Sequence, residues 1–228
     1  MQIYASTDIG KAREMNQDYS VQSEPIKLYI LADGMGGYNG GEIASKLAVE
    51  SVQNYINNNF DEIKLDREGI SKLILNAIEY ANMVVYEKSK ADTNLSEMGT
   101  TLEVCLIYNN KVYIGHIGDS RVYRIRKNII RKLTTDHSYV EKLVKDGTIT
   151  REESYHHPKK NMLMKALGCS AFAEPDILIK GFIKDDIILM CSDGLSNLLM
   201  DKEIYDTVTK NNDNIDKVLI QKANEKGG

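Results

Sequence analysis

Residues 99–134 read GTTLEVCLIYNNKVYIGHIGDSRVYRIRKNIIRKLT. The stretch is rich in Val, Ile, Tyr and Thr, with short breaks at Asn109-Asn110, Gly118-Asp119 and Lys127-Asn128. β-branched and aromatic side chains suit a pleated surface, and Asn and Gly supply the backbone angles of tight turns. The spacing predicts an antiparallel meander of about four strands.

Working outward, KLYILAD (27–33) alternates and ends in an apolar run, as a strand with a buried face does. From Glu42 to about Asn59, Ile43, Leu47, Val49, Val52 and Ile56 recur at helical spacing. A second amphipathic helix is predicted over 67–91, with Ile70, Leu73, Ile74, Ala77, Ile78, Ala81 and Val85 as its stripe. Downstream, 138–160 is polar and mixed, with one short helical stretch around SYVEKLVKDG, and reads as an excursion from the core. Residues 176–195 predict a hairpin turning at Asp185-Asp186, followed by helices at 201–209 and 214–226. Strands, two helices, a block of strands, then helices describe an α+β domain with antiparallel sheets, not a parallel doubly wound one.

The chain has 228 residues, 42% hydrophobic and 27% charged, with a formal net charge of -4. That length and those proportions suit a soluble globular protein of one large domain or two small ones, and the acidic balance gives no support to a nucleic-acid or membrane-surface role. The longest apolar runs, such as IILMC (187–191), are far too short to span a bilayer, and no secretory signal is visible, so a cytoplasmic location is expected. Cys105, Cys169 and Cys191 are far apart and read as small buried apolar residues.

Three aspartates end apolar strands: Asp33 in LADGMGG, Asp119 in IGHIGDSRVY and Asp193 in LMCSDGLS. Asp18, in REMNQDYS, precedes another expected strand. One such aspartate is ordinary turn chemistry. Four, gathered at one rim of a sheet sandwich, would repel one another and call for a cation. Oxygen-only ligands suit Mg²⁺ or Mn²⁺. The four histidines show no metal-ligand spacing, which disfavours zinc. Gly34, Gly36, Gly37, Gly40 and Gly41 follow Asp33. So many glycines suit a backbone that must approach something closely, with Gly36 and Gly37 folding the loop back to a helix start near Gly40 or Gly41. A tight strand-to-helix connection without a ligand explains them too. Two hard metals about 4 Å apart would activate a water toward phosphorus, and Arg13 is well placed in sequence to grip phosphoryl oxygens. Other phosphatase chemistries are absent: six residues after the cysteines stand Lys111, Pro175 and Asn197, so there is no C-x5-R.

Taken in order, TDIGKAREMNQD, LADGMGG, MGTTL, IGHIGDSRVY, LTTDHS, HPKKNMLMKALG and CSDGLSNLL resemble the PPM family of metal-dependent Ser/Thr protein phosphatases, the PP2C type in its short stand-alone bacterial form. The resemblance implies an αββα sandwich of two antiparallel β-sheets flanked by helices, as one domain over 1–228 with a flap at 138–160. It implies two core Mn²⁺ or Mg²⁺ ions: Asp33 bridges them, Gly34 offers a carbonyl, Asp193 ligates, and Asp18 lies in or beside their coordination shell. Asp119 resembles the ligand of a third, weaker ion shared with Asp193, and Arg13 resembles the phosphate-binding arginine. The implied reaction is hydrolysis of phosphoserine and phosphothreonine by a metal-bridging water. The implied partners are phosphorylated proteins, a Ser/Thr kinase and its substrates among them, met by a monomer. The alternative is a catalytically weak phosphoprotein-binding module of the same fold. Gln17 stands where many relatives have Glu, and Met35 where some have a histidine. The family pattern continues as GG-x-D-N and a last strand, so a final ligating Asp and that strand are expected beyond Gly228.

Overall fold

In the computed structural model, which describes residues 1–210 and 213–228 apart from the side chains of 37–39, the strand-rich stretch does not form one meander. It forms two hairpins in two different sheets. Strands β4 (Leu102–Tyr108) and β5 (Lys111–Ile117) pair through Asn109 and Asn110, whose φ values of 46° and 57° are the paired left-handed angles of a tight hairpin turn. Strands β6 (Arg121–Arg126) and β7 (Ile129–Lys132) form the second hairpin. Between them, Gly118 to Ser120 carries the chain from one sheet to the other.

The first sheet also holds β1 (Asp18–Ser23), β2 (Leu28–Met35), β3 (Gly99–Thr100) and β8 (Asp176–Gly181), in the order β1-β2-β4-β5-β8 with β3 beside the end of β2. The second is β7-β6-β9, with β9 at Ile187–Cys191. Every pairing is antiparallel. The hairpin expected at 176–195 is therefore a second crossing, since β8 pairs with β5 and β9 with β6. The crossing sets Leu178 and Ile188 with Met190 around a layer containing Val112, Ile114 and Val122. A single flat sheet would leave that apolar face uncovered.

Helices α1 (Gly37–Asn59) and α2 (Arg67–Ala91) cover the first sheet. The predicted stripe of α2 is buried throughout, each fully buried Ile or Leu contributing about 1.5–3 kcal/mol. Along β4, Leu102, Val104 and Leu106 pack toward these helices, while Cys105 packs between the sheets. Both faces are buried, so the strand reads as an apolar run. Residues 138–160 contain two short helices, α3 (Tyr139–Lys145) and α4 (Arg151–His156), where the sequence suggested one; the Thr150–Glu153 capping box starts the second. After β9 come α5 (Asp193–Ser196), α6 (Asp201–Lys210) and α7 (Ile215–Glu225). Ile204, Val208 and Leu219 pack with Ile125 of β6, which completes the α/β/β/α order. Cys169 is exposed, unlike the other two cysteines.

Helix α1 begins at Gly37, earlier than Gly40 or Gly41, and at Gly41 it touches β2 backbone to backbone. A Cβ on Gly41 would lie 2.8 Å from the Gly34 carbonyl carbon, and one on Gly34 would lie closer still to Gly41. Alanine is favoured over glycine by about 1 kcal/mol inside a helix. At Gly41 the collision reverses that preference, so Gly41→Ala is expected to lower stability by about 1–3 kcal/mol in urea unfolding. A stabilised variant would show that this contact yields freely.

Candidate metal centre

Asp18, the first residue of β1, stands directly opposite Asp33 in the antiparallel register. Side chains so placed have Cβ atoms about 4.5–5.5 Å apart, and like charges there repel. The structure holds Asp33 firmly by its backbone. Its N–H donates to Thr101 Oγ1 (2.9 Å), while its carbonyl accepts from Thr100 Oγ1 (2.9 Å) and Thr101 N (2.9 Å). β2 then continues past the aspartate to Met35, and the Gly34 N–H donates to the Gln17 carbonyl at 3.0 Å.

The other two acids arrive at the same rim on the second sheet's connections. Asp193 opens α5 directly after β9, and its Oδ2 accepts from Asn197 Nδ2 (3.0 Å). Beside it, Ser192 Oγ donates to Asp18 Oδ2 at 2.6 Å, which joins the two sheets across the site. Asp119 lies in the β5–β6 crossing. Gly118 takes φ +115° there and leaves no room for a side chain, since a Cβ would sit 2.6 Å from Thr101 Cβ. Thr101 Oγ1 also shares a hydrogen bond with Ser120 Oγ (2.8 Å), so Thr101 touches both the Asp33 and the Asp119 segments.

These acids act on one another. Burial, then the charges of Asp18, Asp193 and Asp119, push the Asp33 carboxyl up to about 9. Burial, Asp193 and Asp136 raise Asp119 to about 7, with Arg121 opposing. Burial raises Asp18, against the Ser192 hydrogen bond that lowers it. Arg121 offsets only part of this crowding, because its own carboxylate partner is Asp136. Arg121 grips Asp136 through Nε (3.0 Å) and Nη2 (2.7 Å), and Lys132 Nζ lies 2.9 Å from the same carboxylate. Among the described residues, none of the four rim aspartates is in an ion pair with a basic side chain. Nor do three or more of their acids, with His or Cys, already close into a ready ligand group. A hard, oxygen-seeking cation fits a rim of uncompensated carboxylates.

Arg13 is exposed, and no hydrogen bond or ion pair ties it to the rim. The structure thus brings four of the expected residues together and carries Gly34 beside them. Composition and spacing did not single out Ser192, Thr100, Thr101, Asn197 or the Asp136–Arg121 pair, although MGTTL and LTTDHS contain three of these residues. Except for Asn197, four positions after Asp193, their roles come from contacts between segments apart in sequence. No helix among the described residues is long and apolar enough to cross a membrane.

Two antiparallel sheets between helical layers are shared with solved bacterial Ser/Thr phosphatases. The Streptococcus agalactiae serine/threonine phosphatase superposes with a TM-score of 0.89 at 36% identity, covering 98% of this chain and 93% of that one. The catalytic domain of the serine/threonine protein phosphatase PstP, solved in complex with two manganese ions, gives 0.84 at 31% identity, covering 96% and 90%. Among curated relatives, protein phosphatase PhpP of Streptococcus pneumoniae is 37% identical over 234 residues, 100% of this chain and 93% of that protein. The family model for protein phosphatase 2C matches residues 10–216. The chain belongs to the protein phosphatase 2C family.

Proposed function

We infer that this protein is a metal-dependent protein Ser/Thr phosphatase that hydrolyses phosphoserine and phosphothreonine on proteins. Four rim aspartates without a basic partner, in a chain of this family, carry the reading. In it, Asp18, Asp33, Asp193 and the Gly34 carbonyl hold two Mn²⁺ or Mg²⁺ ions, and Asp119 with Asp193 holds a third more weakly. Bound, such ions supply a nucleophile at neutral pH by acidifying water and neutralise charge on phosphoryl oxygens.

The chain's own residues do the placing. Thr100 and Thr101 fix the backbone at Asp33, and Ser192 orients Asp18 by its hydroxyl. Asn197 does the same for Asp193. Arg13, exposed and unpaired, is assigned to the substrate phosphate, whose two oxygens a guanidinium can grip together. Phosphorylated proteins, a cytoplasmic Ser/Thr kinase and its targets among them, are the proposed substrates of a monomeric enzyme.

The test is phosphate release from a phosphothreonine peptide with Mn²⁺ and with EDTA. Release that depends on Mn²⁺ is the expected result. A rate unchanged by EDTA would overturn the metal assignment, and peptide binding without release would favour a phosphoprotein-binding module.

A further inference from the structure

His137 joins the flap to the Asp119 crossing by a paired contact. Its backbone N–H donates to the Gly118 carbonyl at 2.7 Å. Its ring Nδ1 accepts from the Gly118 N–H at 3.2 Å. Both polar groups of the peptide units flanking Gly118 are therefore held by one residue, at the glycine just before Asp119. On its other side His137 begins the flap. Its carbonyl accepts from Met164 N at 2.7 Å, and the next residues pair Ser138 with Leu163 and Tyr139 N with the Met162 carbonyl. Residues 137–139 and 162–164 thus close the base of the flap, and His137 is where that base meets the carboxylate rim.

The ring is fixed from behind. It lies 4.6 Å, centroid to centroid, from His116, and its Nε2 lies 3.5 Å from Asp176 Oδ2 at the start of β8. His116 is itself held between Glu103 and the Thr135 carbonyl. Burial and then the neighbouring His116 charge push His137 down to about 4, and donation by the Gly118 N–H makes Nδ1 the bare acceptor of the neutral ring, with the proton on Nε2 toward Asp176.

We propose that His137 is a positioning residue, which through Gly118 sets the Asp119 carboxylate against the flap base and thereby tunes the weaker cation site. The inference rests on the metal-phosphatase reading for the cation it invokes. It assigns His137 no contact with substrate or cation.

Asn and Gln variants separate this role from a general packing role. The Asn amide oxygen is attached to Cγ, as Nδ1 is, and can accept from Gly118 N–H. The Gln amide reaches the place of Nε2 instead. Two readouts are needed: calorimetric titration of the metal-free protein with Mn²⁺, and amide hydrogen exchange at Gly118 without cation. The loss of one hydrogen bond of this kind is expected to make His137→Gln speed Gly118 exchange and weaken the weakest Mn²⁺ site, each by about two- to tenfold. His137→Asn is expected to stay near wild type in both. Equal behaviour of the two variants, or faster exchange with unchanged Mn²⁺ affinity, would overturn the proposal. Loss of Mn²⁺-dependent release by the wild type would instead strike the phosphatase reading, and the exchange and titration would still decide the role of His137.

Discussion

Asp33→Asn is expected to cut phosphate release by about three orders of magnitude, while raising the unfolding midpoint of the cation-free protein. The activity loss amounts to about 4 kcal/mol at 1.36 kcal/mol per tenfold, within what a bound cation's charge contributes to a phosphoryl transition state. The stability gain has a separate cause. Asp33 is the carboxyl most strongly pushed up by burial and by its three acidic neighbours, so near neutral pH folding without a cation must bring a proton to it, a cost that the always-neutral amide avoids. The hydrogen bonds from Thr100 and Thr101 are kept, because they bind the backbone of Asp33 and not its side chain. For a chain of this size each kcal/mol moves the midpoint by about 2–4 °C. Phosphate release with Mn²⁺ and scanning calorimetry without it measure the two effects. Near-normal release would remove Asp33 from the cation site, and a lowered midpoint would show that the rim carboxylates do not oppose folding.

The largest stability loss is expected at Glu103→Ala, far from any surface. Glu103 on β4 and His116 on β5 are opposed in register and both fully buried, in the layer between the sheets. The His116 ring nitrogens face two acceptors, the Glu103 carboxylate and the Thr135 carbonyl, the latter at 2.9 Å. Burial opposes a charge on His116, but Glu103 outweighs it and the imidazole is raised above 6.5. Glu103 is pushed up to about 7 by burial, against the pull of His116, and its Oε2 has no hydrogen-bond partner among the described residues. Removing one member leaves the other buried and uncompensated, which costs about 3–5 kcal/mol. Replacing both by leucine is expected to cost far less, because neither charge then needs solvation. Urea unfolding of the single and double variants makes the comparison. A single-variant loss below about 1 kcal/mol, the scale of an ordinary neutral hydrogen bond, would mean that His116 is not held as a cation.

Both aspartates and glycines were visible in the sequence, yet their reasons for being there differ. The glycines after Asp33 were read as room for a close approach or as a tight strand-to-helix connection. At Gly34 and Gly41 the structure supports the second, with α1 packed backbone to backbone against the end of β2. Glu103 and His116 illustrate the opposite case. Within LEVCLIY and KVYIGHI they look like stray polar residues in apolar strands, and only the β4–β5 register turns them into a pair. His137 was legible as a residue of LTTDHS, but its hold on Gly118 spans 19 positions of chain.

The sequence by itself determined what depends on neighbours along the chain: helical stripes, strand runs, the Asn109-Asn110 turn, and an ordered set of acidic motifs that resembled one family. Local sterics and periodic burial act within a few residues, and these are written directly in residue order. Only the tertiary structure decided which sheet each strand joins. Pairing β6 with β9 and β5 with β8 splits the predicted meander and opens the predicted hairpin. That division brings Asp119 and Asp193 to the rim where Asp18 faces Asp33, since the choice of strand partner is set by covering two apolar faces at once, a condition no single segment contains.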